Sequence, residues 1–288
     1  MSDMTSGDAA VVRAQELDPS EVKQCCAAAY DSDAARMLLG GSFHPGGLKL
    51  TERLGRILDL RPGMRVLDVA AGKGTSAIFL AKQFGCDIVG IDYSRKNIEA
   101  GNEEARTEGL NGKVAFQWAD AEDLPFPDAS FDAVICECAL CTFPDKQAAA
   151  REFNRVLHSR GRAGLSDLTR DGALAPELEG LTSWIACIAD AQPLSGYVAL
   201  LSNAAFTVSV TERHDGALAE FVNQVRTRLV AAEVMVRLRK LVLPGFDFEA
   251  ARTIARHALA AIREGNLGYA IIAASKQRTF ETSKARSY

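Results

Sequence analysis

Short apolar runs alternate with amphipathic stretches through most of the chain. Met64–Val69, Asp87–Asp92, Val114–Trp118, Phe131–Cys136 and Arg162–Asp167 read as buried strands; stretches near 75–84, 94–108 and 145–158 carry helical spacing. Such alternation implies βαβ units with right-handed crossovers and a parallel sheet covered on both faces. A helical region near 177–204 then leads to a strand at Phe206–Glu212. Two helices follow, near 216–241 and 248–264, separated by Pro244-Gly245, before a last strand at Tyr269–Ala274. Upstream, residues 1–17 are polar and aperiodic. Asp18-Pro19-Ser20-Glu21 has the form of a helix start, and that helix is expected to run to about Leu39, where Gly40-Gly41 stops it. A second helix is expected over Leu48–Leu58, after the loop Ser42–Gly47.

Composition narrows the class. With 48% apolar and 24% charged residues in 288, the chain can bury a substantial core. The net charge is −4 and the cations are dispersed, which argues against a nucleic-acid partner. No apolar run approaches the ~18 residues of a membrane span, so no membrane partner is expected. Asp3 and Asp8 sit where a leader would carry basic residues. Seven cysteines without an export signal are expected to be thiols in a reducing cytoplasm.

The sharpest local signal is Asp68-Val69-Ala70-Ala71-Gly72-Lys73-Gly74-Thr75, between a strand and a helix. A phosphate-binding Walker loop fails, because Lys73 is followed by Gly74 and position 67 is Leu. Gly72-x-Gly74-x-x-Ala77 with Asp92 fits a dinucleotide fingerprint, but the Tyr-x-x-x-Lys pair of short-chain dehydrogenases is absent. A carboxylate at Asp68 would repel a pyrophosphate and suits a cationic ligand. The turn resembles motif I of the class I methyltransferases that use S-adenosylmethionine (SAM). Further ordered segments carry the resemblance: Gly90-Ile91-Asp92-Tyr93-Ser94, Ala119-Asp120-Ala121-Glu122-Asp123-Leu124-Pro125-Phe126, Phe131–Ile135, and Glu152-Phe153-x-Arg155-Val156-Leu157. It spans about 59–170, with Ala70-Ala71 departing from the family's glycine-richer text.

The resemblance implies a Rossmann-like, seven-stranded, mostly parallel α/β sheet. It implies a tail and helical lid (1–58), a SAM-binding core (59–212), a helical insertion (213–265), the last strand (266–276) and a polar tail (277–288). SAM is the implied cofactor, held by Asp68, Ala70, Gly72, Gly74, Asp92, Tyr93, Asp120, Ala121 and Glu137. Asp92 would hold the ribose hydroxyls, and Asp120 and Ala121 would lie against the adenine.

Cys136, Cys138 and Cys141 lie at the carboxyl end of the fourth strand, where an open α/β sheet binds its ligands. Strand alternation places Cys136 and Cys138 on one side and Glu137 on the other. Buried Cys is often only a small core residue, and a structural zinc site lacks its second Cys pair. Cys138-Ala139-Leu140-Cys141-Thr142-Phe143-Pro144-Asp145-Lys146 and Trp184–Ala191, with Cys187, resemble two segments of arsenite methyltransferases. That family's further N-terminal cysteine and its C-terminal cysteine-bearing extension are missing. His44-Pro45-Gly46-Gly47-Leu48-x-Leu50-Thr51 with Glu137-Cys138-x-Leu140 is similar instead to a corrinoid-associated branch.

The expected activity is SAM-dependent methylation of a thiophilic metalloid such as As(III), or of a thiol-bound substrate. Cys138, Cys187 and Cys141 are the catalytic candidates, with Cys136 as a further metalloid ligand; no resident metal is expected. His44 serves either as a general base or as the residue fixing a Pro-Gly-Gly turn. The rivals are a C- or O-methyltransferase of the ubiquinone-biosynthesis type and a non-catalytic SAM- or metal-sensing module. Trp184 either walls the substrate pocket or fills the core. Arg226, Arg228, Arg237, Arg239 and Lys240 form a solvated helix face or a seat for an anionic partner. The insertion either caps the pocket or forms a homodimer surface.

Overall fold

A computed structural model describes residues 18–178 and 187–277. Asp18 opens helix α1 (Pro19–Tyr30) with a complete capping box: its side chain accepts from the backbone while Glu21 reaches back. The single helix expected to reach Leu39 is two. Ser32 has extended backbone angles and its hydroxyl accepts from the amide of Ala35, so it ends one helix and caps the next, α2 (Asp33–Leu39). Helix α3 spans Gly47–Ile57.

The sheet follows the expected alternation: β1 (Arg65–Val69), α4 (Thr75–Phe84), β2 (Asp87–Asp92), α5 (Arg95–Thr107), β3 (Val114–Trp118), β4 (Phe131–Glu137), α6 (Lys146–Val156) and β5 (Leu157–Arg170). Then come α7 (Leu194–Asn203), β6 (Phe206–Arg213), α8 (Asp215–Arg237), α9 (Phe248–Arg263) and β7 (Leu267–Lys276). Of the helical region expected near 177–204, Leu194–Asn203 is helical and residues 179–186 lie outside the described residues. Pro176–Leu178 is a 3₁₀ turn, and Trp184 lies outside the described residues. β5 is longer than its apolar run because its first half, through Arg160-Gly161-Arg162, carries no hydrophobic alternation.

The seven strands are ordered β3-β2-β1-β4-β5-β7-β6, and only β7 runs antiparallel to its neighbours. Strand order reverses beside β1, so the crevice for a ligand lies above the carboxyl ends of β1 and β4. Two apolar layers cover the sheet. Phe131, Phe153, Tyr197 and Phe206 anchor one; Leu54, Leu80, Ile88 and Phe116 anchor the other.

Phe116 sits where three glycines converge. A Cβ on Gly74 would lie 2.1 Å from its ring, on Gly90 2.3 Å and on Gly101 2.9 Å. Helix α8 packs onto α2 through Leu229 and Ala232 against Leu38.

Candidate active site

The turn after β1 is built from left-handed residues: Ala70 (φ 57), Gly72 (φ 55) and Gly74 (φ 80). Alanine pays a steric cost of about 1–2 kcal/mol there that glycine would avoid. The turn is tied to β2: the Ala71 amide donates to the Ile91 carbonyl (2.9 Å) and the Gly72 amide to Asp92 Oδ2 (2.8 Å). Asp92 Oδ1 accepts from the Ser94 amide (2.8 Å) and Asn97 Nδ2 (3.3 Å). Burial nonetheless pushes the Asp92 carboxyl up.

Asp68, one residue before the end of β1, is almost fully buried, and its Oδ2 has no hydrogen-bond partner among the described residues. Burial, then the charges of Glu137 and Asp92, hold its carboxyl well above the usual range. These three carboxylates line one cavity of about 640 Å³. An orphaned acceptor beside two like charges fits a ligand that brings positive charge.

Helix α1 lies across this cavity and is latched at both ends. Lys23 Nζ donates to Asp120 Oδ2 (2.7 Å) and Glu122 Oε2 (2.6 Å), beyond β3. At the other end Ser94 Oγ donates to Asp31 Oδ2 (3.0 Å), and Lys96 stands 3.7 Å from Asp31 Oδ1. Ala121 and Tyr93 also line the cavity, with Tyr93 against Trp118.

Glu137 is the hub of a buried polar network. Ser76 Oγ donates to its Oε2 (2.7 Å), and Thr51 Oγ1 reaches Oε1 (3.2 Å) and Oε2 (3.0 Å). Ser166 Oγ lies 3.5 Å from Oε1 and accepts from Tyr269 Oη at 2.9 Å. His44, only 6% exposed, places Nε2 3.7 Å from Glu137 Oε2 and 3.4 Å from both the Thr51 and Ser76 hydroxyls. Its Nδ1 is 3.3 Å from the Pro45 carbonyl. His44 is therefore a buried cavity residue and not merely the support of a turn.

The thiols divide. Cys138 has φ 54, so the chain leaves the strand there and the expected shared face with Cys136 is lost. Cys136 packs in the apolar layer under α6, whereas Cys138 lines the cavity. Cys138 Sγ donates to Cys187 Sγ at 3.9 Å, and Tyr30 Oη is 3.4 Å from the same sulfur. Hydrogen bonds from Cys138 and Cys141 hold the Cys187 thiol well below its ordinary range, against the effect of burial. Cys141 and Cys187 stand behind Cys138 and do not line the cavity. The Cys141 amide donates to Asp167 Oδ2 (2.9 Å). Among the described residues no three His, Cys, Asp or Glu side chains are grouped to hold a metal ion.

Of the residues expected from sequence, Asp68, Ala70, Gly72, Asp92, Tyr93, Asp120, Ala121, Glu137, His44 and Cys138 meet at this cavity. Gly74 lies beneath it against Phe116. Sequence reading missed Lys23, Tyr30, Ser76 and Thr51. Thr51 was within reach, since it closes the segment that opens with His44. Lys23 left no signal, because its partners are about a hundred residues away.

Residues 60–208 match the family described as "Methyltransferase domain". The 27-O-demethylrifamycin SV methyltransferase of Amycolatopsis mediterranei is 34% identical over 236 residues, covering 79% of this chain and 83% of that protein. Methyltransferase GfsG of Streptomyces halstedii is 38% identical over 128 residues, but the match spans only 46% of its length. Neither name mentions a metalloid or a corrinoid. Among solved structures, the [4+2]-cyclase SpnF superposes with a TM-score of 0.71 at 23% identity, over 89% of this chain and 97% of that one. Phosphoethanolamine N-methyltransferase 2 of Haemonchus contortus, in complex with phosphomonomethylethanolamine and S-adenosylhomocysteine, gives 0.75 at 19% identity, over 89% and 60%. These superpositions speak to the fold alone.

Proposed function

Because the chain belongs to the SAM-dependent methyltransferases, we propose that it methylates a hydroxyl oxygen of a small organic acceptor, with His44 as the general base. SAM supplies an electrophilic methyl group bonded to a sulfonium. In this reading Asp68 Oδ2 accepts from its ammonium group and Asp92 from the ribose hydroxyls. Asp120, Ala121 and Tyr93 flank the adenine. Ala70 and Gly72 let the backbone approach closely, Gly74 closes the turn beneath them, and Glu137 adds negative charge to the wall that faces the cation.

The observation that carries the proposal is His44 on the cavity wall beside Glu137. A hydroxyl must lose a proton as it is methylated, so it needs a base within reach. With Nδ1–H donating to the Pro45 carbonyl, Nε2 is left as the basic nitrogen, and Glu137 stabilises the imidazolium that forms. The acceptor is uncharged in this reading. Carboxylates outnumber cations in the lining: Lys23 is engaged by Asp120 and Glu122, Lys82 by Glu108, Lys73 stands over the Phe43 ring, and no arginine contributes among the described residues. The name of the rifamycin relative supports an oxygen acceptor.

His44→Gln tests this. SAM affinity by calorimetry should stay within about three-fold, while formation of S-adenosylhomocysteine from a panel of phenols and alcohols should fall by about 10²–10⁴-fold. Retained turnover would remove His44 as the base.

A second reading rests on the sulfur pair: Cys138 and Cys187, 3.9 Å apart, could present a thiophilic acceptor such as As(III) to the methyl donor. Its lone pair would attack with no proton to remove. As(III) should then bind the parent and be lost in both Cys138→Ser and Cys187→Ser; absence of binding to the parent excludes it.

A further inference from the structure

Helix α8 carries a surface that the catalytic reading leaves unused. Six large apolar side chains are exposed among the described residues, and five lie between 230 and 242: Val230 (58%), Val234 (49%), Met235 (41%), Leu238 (59%) and Val242 (77%). Val230, Val234 and Leu238 recur every four residues, so they form one stripe along the helix and the turn that follows it.

Charge borders the stripe. Between 226 and 240 the chain has five cations, Arg226, Arg228, Arg237, Arg239 and Lys240, against the single carboxylate of Glu233. Glu233 is already shared by Arg237 (2.7 Å) and Arg252. Arg239 and Lys240 are exposed, and neither makes an ion pair among the described residues. The patch inverts the sign of a chain whose net charge is −4.

We propose that this end of α8 is a docking surface for an anionic lipid surface. The apolar stripe would enter the headgroup boundary, and the flanking cations would meet lipid phosphates. No described helix is long and apolar enough to cross a membrane, so the contact is peripheral. A second copy of the chain fits less well. Two-fold pairing along the stripe would bring Arg226 of one copy beside Arg239 and Lys240 of the other.

The opposite face of α8 holds the lid. Leu229 and Ala232 pack on Leu38, and Arg228 Nη1 donates to the Leu38 carbonyl at 2.9 Å. Contact with a surface at Val234 and Leu238 is therefore one helix diameter from the segment that leads into the Gly40–His44 cavity wall.

Co-sedimentation of the full chain tests the proposal, using vesicles of phosphatidylcholine alone and with about one third phosphatidylglycerol. Binding should require the anionic lipid and weaken as salt is raised towards about 0.5 M. Arg239→Gln with Lys240→Gln should weaken it by about 30-fold, from roughly five-fold per cation. Leu238→Glu with Val242→Glu should cost at least as much. All four positions are exposed, so SAM affinity and the thermal midpoint should stay at parent values in both variants. Equal sedimentation of parent and variants, or none with the parent, overturns the proposal. So does a concentration-dependent dimer in solution that Leu238→Glu dissolves, which would assign the stripe to a second copy.

Discussion

Asp68→Asn separates what the site does for binding from what it does to stability. Asp68 Oδ2 is buried without a hydrogen-bond partner among the described residues, near Glu137 and Asp92. Removing its charge should relieve about 1–3 kcal/mol of unfavourable burial. For a chain of this size that is a rise of roughly 2–10 °C in the thermal midpoint. SAM binding should move the other way: losing the carboxylate opposite a buried cation costs about 3–5 kcal/mol, or roughly 10²–10⁴-fold in Kd. The pH dependence follows from the raised carboxyl. Between the unfolded chain's ordinary value and its own higher value, the folded protein holds the extra proton. Asp68 therefore lowers stability as pH rises through that interval, whereas SAM affinity should increase over it because the ligand favours the ionised form. Scanning calorimetry and SAM titrations at several pH values read all three effects. An Asn variant that is less stable without ligand, or that binds SAM like the parent, would refute the assignment of Asp68 as the cation's counter-charge.

Three other outcomes are expected. Gly74→Ala should destabilise by about 2–4 kcal/mol in urea unfolding, since a Cβ would meet the Phe116 ring at 2.1 Å and the residue has φ 80; a loss under about 1 kcal/mol would show that the ring yields. Lys23→Ala should speed SAM release by about five- to ten-fold in stopped flow while leaving stability within about 1 kcal/mol, because the latch to Asp120 and Glu122 restrains the lid more than it holds the fold. Burial, and then the charge of the neighbouring Cys187, push the Asp167 carboxyl up to about 7. Asp167 alone should thus withdraw roughly 4 kcal/mol of stability as pH climbs from about 4 to 8, and Asp167→Asn should remove that share of the parent's slope; an unchanged profile would place the titration elsewhere.

What the sequence revealed follows from the range of each interaction. The β1–α4 turn was legible because its glycines and Asp68 act within a few residues of one another. The break between α1 and α2 was encoded in Ser32, a local cap, but the continuous apolar spacing around it masked the signal. The parting of Cys136 from Cys138 depends on one left-handed residue at the end of β4, which alternation cannot foresee. Lys23 with Asp120, and Tyr30 with Cys187, are joined only by the tertiary fold. The first part of β5 escaped because it contains charged residues and a glycine where buried strands usually carry apolar ones. The solvent-facing stripe of α8 shows the same limit from the other side: apolar spacing predicts a covered face, and only the fold shows this one uncovered.

The ring of Phe116 makes its three glycines interdependent. At Gly74, Gly90 or Gly101 a methyl group alone meets the same aromatic ring, so each exchange is harmful while the phenyl remains. With a smaller residue at 116, exchanges at Gly90 and Gly101 would fill the space it vacates, whereas Gly74 stays bound to glycine by its φ of 80. The order in which substitutions arrive therefore matters: Phe116 must shrink before Gly90 or Gly101 can grow. A lineage that makes that first change leaves those two positions free to drift, whereas one that retains the phenyl keeps all three glycines fixed.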